Sequence, residues 1–168
     1  SGLLLKEAII ELGGRAAIFT PNRVMEGYGV NSRIVEEANA KGASVLLTCD
    51  NGIAAFEAID EAKKLGMTVI VTDHHEVPFE EHDGKKIYLL PKADAIVDPK
   101  QEDCAYPFKS LCGTGVAYQL MTLLFRRMKR TMSRQEIFLQ YTAIATVADV
   151  MELVGENRIL VRKGLSYL

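Results

Sequence analysis

Of the three histidines in this sequence, His74 and His75 stand side by side, directly behind Asp73, where the apolar run of residues 67–72 ends. A carboxylate and an imidazole at the mouth of a strand are ligand types for a divalent ion such as Mn²⁺, which accepts oxygen and nitrogen donors together. Asp50 closes a second apolar run, residues 43–50. A third carboxylate, Asp149, lies in the nearly all-apolar stretch 142–153, where an ionised group is costly unless it is paired or bound to metal. On the residues alone a plainer reading stands beside this one: Asp73 caps a turn, the histidines are exposed loop residues, and Asp149 faces solvent near a helix end.

These residues meet only if the chain folds in a particular way. "MTVIVTD" (67–73) and "ASVLLTCD" (43–50) are short and rich in apolar and β-branched residues, as buried strands are. The amphipathic stretch 53–66 between them predicts a helix ending at Gly66, and 31–42 predicts another capped by Asn31 or Ser32. Strand, helix, strand in this rhythm gives βαβ units, hence an α/β fold with a parallel, Rossmann-like sheet flanked by helices. A helix is expected over 3–13, a strand over 15–20, a loop over 21–29, and further strands at "KIYLL" (86–90) and "AIVDP" (95–99). From Gly113 onward the chain reads as helical, with long helices over 116–130 and 134–153. Right-handed crossovers place the carboxyl ends of parallel strands on one edge, where open α/β sheets bind ligands. Arg23, Asp50, His74 and His75 should gather there.

Composition narrows the function classes. Twenty basic against 22 acidic residues leave a net charge of −2, so any hold on nucleic acid must be local. The three cysteines, Cys49, Cys104 and Cys112, lack paired zinc-site spacing and fit reduced thiols in the cytoplasm. No stretch approaches the roughly 18 apolar residues of a membrane span. Gly113 and Gly115, just before the predicted helix at 116, could offer backbone amides to a phosphate, or simply permit a tight turn. Arg126, Arg127, Lys129, Arg130 and Arg134 could track a nucleic-acid backbone, or form a solvated helix end.

"TCDNGI" (48–53), "VTDHHE" (71–76) and "ATVADVMEL" (145–153) resemble, in order and spacing, three motifs of the DHH phosphoesterase family. "PNRVMEGYGVN" (21–31), "YPFKSLCGTGVAYQL" (106–120) and "GENRILVRKGL" (155–165) narrow the resemblance to that family's single-stranded-DNA-specific exonucleases. It implies hydrolysis of phosphodiester bonds with two Mn²⁺ (or Mg²⁺) ions in the full-length protein. Asp50 would bridge the ions, and His74 and Asp149 would complete one of them. His75 would face the scissile phosphate, Asp73 would orient the neighbouring imidazole, and Arg23, Gly113 and Gly115 would contact substrate phosphate. Single-stranded DNA and other DNA-repair proteins are the implied partners, with no membrane. The family's first motif, Asp-x-Asp, is not found in this sequence, nor is its smaller C-terminal domain. Residues 1–168 are therefore expected to be a catalytic domain truncated at both ends and inactive by itself. Two alternatives stay open: a phosphodiesterase of short oligoribonucleotides or cyclic dinucleotides, and a non-catalytic α/β binding module.

Overall fold

The computed structural model describes residues 1–22 and 27–168. In chain order the elements are α1 (Gly2–Glu11), α2 (Ser32–Ala40), β1 (Val45–Leu47), α3 (Phe56–Lys64), β2 (Thr68–Thr72), β3 (Phe79–His82), β4 (Lys85–Tyr88), β5 (Ala95–Val97), α4 (Gly113–Arg127), α5 (Gln135–Ala148) and α6 (Gly155–Leu165). They form two compact units: Phe19–Ala105, and Ser1–Ile18 together with Tyr106–Leu168.

The first unit is the expected α/β part. Its sheet has the order β1-β2-β5 and is parallel throughout, with Val45 opposite Thr68 and Ile70 opposite Ala95. Alternation along β2 sends Val69 and Val71 to one face, where they pack with Val35 and Ala38 of α2 and with Ala58, Ile59 and Ala62 of α3. Both helices are short, nine residues each, and this shared apolar face stabilises them more than propensity could. The Asn31 side chain accepts from the Ile34 N–H at 3.0 Å and so starts α2. Gly66, at φ +78°, ends the α3 region and turns the chain into β2.

The second unit is helical. Leu4, Leu5 and Ala8 of α1, Val116, Ala117, Met121 and Phe125 of α4, Phe138, Leu139 and Ala143 of α5, and Leu160 and Val161 of α6 are its buried apolar residues. At Gly164 in α6 the helix comes so close to α5 that an added Cβ would lie 2.3 Å from the Leu139 carbonyl oxygen. Only glycine fits there.

Three expectations are corrected. Residues 15–20 form no strand; among the described residues no ladder partner pairs with them, and a strand without a ladder leaves its backbone groups unsatisfied. The strand expected at "KIYLL" is present, outside the parallel sheet. As β4 it pairs antiparallel with β3 through Asp83-Gly84, both at positive φ, the backbone that a tight hairpin turn requires. The helix expected over 134–153 stops at Ala148, because Val150 takes φ +54° and the Met151 N–H turns back to the Thr146 carbonyl at 3.1 Å. The helix expected from 116 begins instead at Gly113, so Gly113 and Gly115 lie inside its first turn.

Candidate metal centre

The centre grows out of the carboxyl edge of the parallel sheet. Beyond β1 the ladder continues: the Thr48 N–H donates to the Ile70 carbonyl at 2.9 Å and the Asp50 N–H to the Thr72 carbonyl at 3.0 Å. The buried Thr72 hydroxyl donates to the Thr48 carbonyl at 2.7 Å, which fastens the two strand ends together. Asp50 then leaves the strand at φ +64°, a left-handed conformation that aspartate tolerates better than most residues. Gly52 follows at φ +116°, where a Cβ would meet the Thr48 hydroxyl oxygen at 2.6 Å. The turn is thus closed against its own strand.

Asp73 is the anchor of the facing loop and is 1% exposed. Its Oδ2 accepts from the Ile53 N–H at 2.9 Å, which ties the β2 end to the turn before α3. Its Oδ1 accepts from the His74 N–H at 2.8 Å and the His75 N–H at 3.3 Å, and lies 2.6 Å from His75 Nδ1. Four donors around one carboxylate compensate its burial. The two imidazoles then divide: His74 is buried, with Nε2 3.0 Å from Asp50 Oδ1, while the His75 side chain is half exposed. Their ring centroids are 4.5 Å apart.

Asp50, His74 and His75 each bring a ligand atom within 4.8 Å of the others, close enough to share one ion. The donor set, one carboxylate oxygen and two ring nitrogens, suits a transition-metal dication. Burial resists ionisation of Asp50, but the hydrogen bond and charge of His74, with the charge of His75, bring its carboxyl below the ordinary value. It is therefore a ready anionic ligand.

Two neighbours escaped the sequence reading. Tyr28 donates its hydroxyl to the Asp50 carbonyl at 2.8 Å, with its ring edge-on to His75 at 6.5 Å. Asp98 directly follows β5 and is 2% exposed; its Oδ1 accepts from the Lys100 N–H at 2.8 Å, and its buried Oδ2 has no hydrogen-bond partner among the described residues. Burial, and after it the charge of Asp73, raises the Asp98 carboxyl above its ordinary value despite the Lys100 N–H. Asp98 was visible as the last residue of "AIVD", the same strand-final position that singled out Asp50 and Asp73. For Tyr28 the sequence carried no comparable signal.

Asp149 is the C-cap of α5 in the helical unit and is exposed. Gly113 and Gly115 are buried in that unit, and the Gly115 N–H donates to Cys112 Sγ at 3.3 Å. Arg23 lies outside the described residues. Of the basic cluster, Arg134 pairs with Glu7 at 3.0 Å within the helical unit.

Comparison with known proteins gives concordant findings. Residues 1–146 match the model of the DHH family, N-terminal domain. The single-stranded-DNA-specific exonuclease RecJ of Salmonella typhimurium is 41% identical over 174 residues, covering 95% of this chain and 29% of that protein. RecJ of Dickeya dadantii is 39% identical over 169 residues, covering 95% and 28%. The chain therefore spans less than a third of the length of these curated relatives. Among solved structures, exonuclease RecJ bound to manganese superposes with a TM-score of 0.80 at 31% identity, over 98% of this chain and 39% of that one. RecJ of Thermus thermophilus in complex with Mn²⁺ gives 0.72 at 28% identity, over 97% and 21%.

Proposed function

The chain belongs to the DHH family, and we propose that residues 1–168 are part of the catalytic domain of a RecJ-type, metal-dependent 5′-exonuclease of single-stranded DNA. The observation that carries this reading is the Asp50–His74 pair at 3.0 Å, with His75 beside it on the edge of a parallel sheet. Relatives whose names state single-stranded-DNA-specific exonuclease activity, and solved relatives that hold manganese, support it.

Asp50 and His74 would hold a divalent ion, and Asp149 is proposed as a further ligand. When bound, Mn²⁺ (or Mg²⁺) ions would supply the Lewis acidity for in-line attack of water on phosphorus. The chain's own groups do the positioning. Asp73 grips His75 through Nδ1 and leaves Nε2 as the ring nitrogen to meet a scissile phosphate. Asp73 also holds both backbone amides of the pair, so the ring positions are set before substrate arrives. In this reading Arg23 would contact a substrate phosphate by its guanidinium fork. Among the described residues no helix is long and apolar enough to cross a membrane. A cytoplasmic setting and other DNA-repair proteins as partners belong to the same proposal.

The test uses the full-length protein with Mn²⁺ and 5′-labelled single-stranded DNA, duplex DNA, short RNA and cyclic dinucleotides. Degradation of the single strand alone, abolished by chelator, is expected. Turnover of short RNA or cyclic dinucleotides with none of DNA would select the small-substrate phosphodiesterase instead. Metal binding without hydrolysis of any of them would select a binding module.

A further inference from the structure

Both backbone polar groups of Asp50 are tied down, and by different means. Its N–H is fixed by the sheet, through the carbonyl of the fully buried Thr72. Its carbonyl is fixed from outside, by the hydroxyl of Tyr28 at 2.8 Å, on a residue that is 60% exposed. Between these two bonds the residue sits at φ +64°, a left-handed conformation disfavoured for an L-residue relative to the right-handed region. A second link joins the same two segments: the Val30 N–H donates to Asn51 Oδ1 at 3.3 Å, while Asn51 Nδ2 donates to the Cys49 carbonyl at 2.8 Å. The loop of residues 28–30 thus holds the turn of residues 49–51 at its outer side.

We propose that Tyr28 is a positioning residue for the metal centre: its hydroxyl, not its ring, holds the left-handed turn that aims the Asp50 carboxylate at the ion shared with His74. The inference rests on the metal reading of the Asp50–His74–His75 cluster. The ring alone cannot do this. The ring meets His75 edge-on, at 6.5 Å, whereas the hydroxyl bonds the Asp50 carbonyl. Loss of that single bond would let the carbonyl rotate toward water and the turn relax toward commoner backbone conformations. The carboxylate would then spend part of its time out of reach of His74 Nε2. Binding would weaken without the fold changing, because Asp50 lies outside the packed core of α2, α3 and β2.

The experiment is calorimetric titration of Mn²⁺ into the full-length protein and its Tyr28→Phe and Tyr28→Ala variants, with the metal-free melting midpoint of each. The expected result is a loss of Mn²⁺ affinity of about three- to tenfold in both variants, the scale of one ordinary hydrogen bond, with unchanged metal-free melting. Wild-type affinity in Tyr28→Phe would overturn the proposal, whatever Tyr28→Ala does, since the hydroxyl would then be dispensable. A matching fall in metal-free melting would also overturn it, by making the tyrosine merely structural. Absence of Mn²⁺ binding by the wild type is a separate result: it sinks the metal reading itself. Should Tyr28→Ala fail to fold, Tyr28→Phe still decides.

Discussion

The two units bury polar side chains to different ends. In the helical unit the buried polar residues among those described are Thr114, Thr142, Thr146 and Asn157, all uncharged. Thr142 and Thr146 return their hydroxyls to the carbonyls of Phe138 and Thr142, at 2.8 and 2.7 Å, and Asn157 donates to the Ser110 and Glu152 carbonyls at 2.7 and 3.0 Å. The two threonines bond within α5, and Asn157 fastens separate backbone segments together. In the α/β unit the corresponding residues are Thr48, Thr72, Asp73, His74 and Asp98, and three of these five can ionise. All five end a strand or follow directly on one, at the carboxyl edge of the sheet. Burying ionisable groups is expensive. Their confinement to one edge marks that edge as the candidate site, whereas the buried polar residues of the helical unit bond to its own backbone.

Substitutions can break this contrast, and the largest effect belongs to the helical unit. Phe138 of α5 is 0% exposed, so Phe138→Ala should cost about 3–5 kcal/mol of stability. Chemical denaturation would measure it, and a cost below about 1 kcal/mol would mean that the helical core is not packed as described.

Asp73→Asn comes next. The amide nitrogen can no longer accept, so one of the four donors now served by the carboxylate loses its partner. Turnover of single-stranded DNA should fall about 10- to 100-fold, because the imidazole that Asp73 orients is the substrate-facing His75. Near-native turnover by the full-length protein would reduce Asp73 to a turn cap.

The smallest effect is expected at Asp98, and its sign sharpens the contrast. Because the folded state raises its carboxyl above the ordinary value, the folded protein binds that proton more tightly than the unfolded chain. The ionised carboxylate therefore costs stability at neutral pH, and the cost disappears as pH falls through the raised value. Asp98→Asn should raise the metal-free melting midpoint slightly at pH 7, with a gain that shrinks as pH falls toward the carboxylate range. A gain independent of pH would rule out charge burial as its origin.

How much of this was legible follows from the kind of signal each element left. β1, β2 and β5 were readable because short apolar runs alternate with amphipathic stretches, and Asn31 marked the start of α2. β4 was expected as a strand, but β3 and its hairpin pairing were missed although Asp83-Gly84 is a hairpin turn signal, because β3 is exposed along its length and shows no apolar alternation. The end of α5 was misplaced because Val150 adopts a left-handed backbone that a β-branched residue rarely takes. Asp50, Asp73, His74 and His75 could be named as strand-end residues from pattern alone. What pattern could not supply is which imidazole Asp73 grips, or that a tyrosine 22 positions earlier reaches the Asp50 carbonyl. Both depend on loop backbone that propensity does not describe.

The central claim is that His74 and His75, adjacent in sequence, do different work: His74 lies against Asp50 as a metal ligand, and His75 is held by Asp73 to face substrate. Calorimetric titration of Mn²⁺ into the full-length protein and its His74→Ala and His75→Ala variants, paired with degradation of 5′-labelled single-stranded DNA, tests it most directly. His74→Ala should lose both metal affinity, by about 100-fold or more if a direct ligand matters at least as much as its supporting shell, and activity. His75→Ala should retain most of the affinity and lose turnover, because an interaction made chiefly with the transition state lowers the rate without emptying the site. Equal loss of metal in both variants, or undiminished hydrolysis in either, would contradict the account.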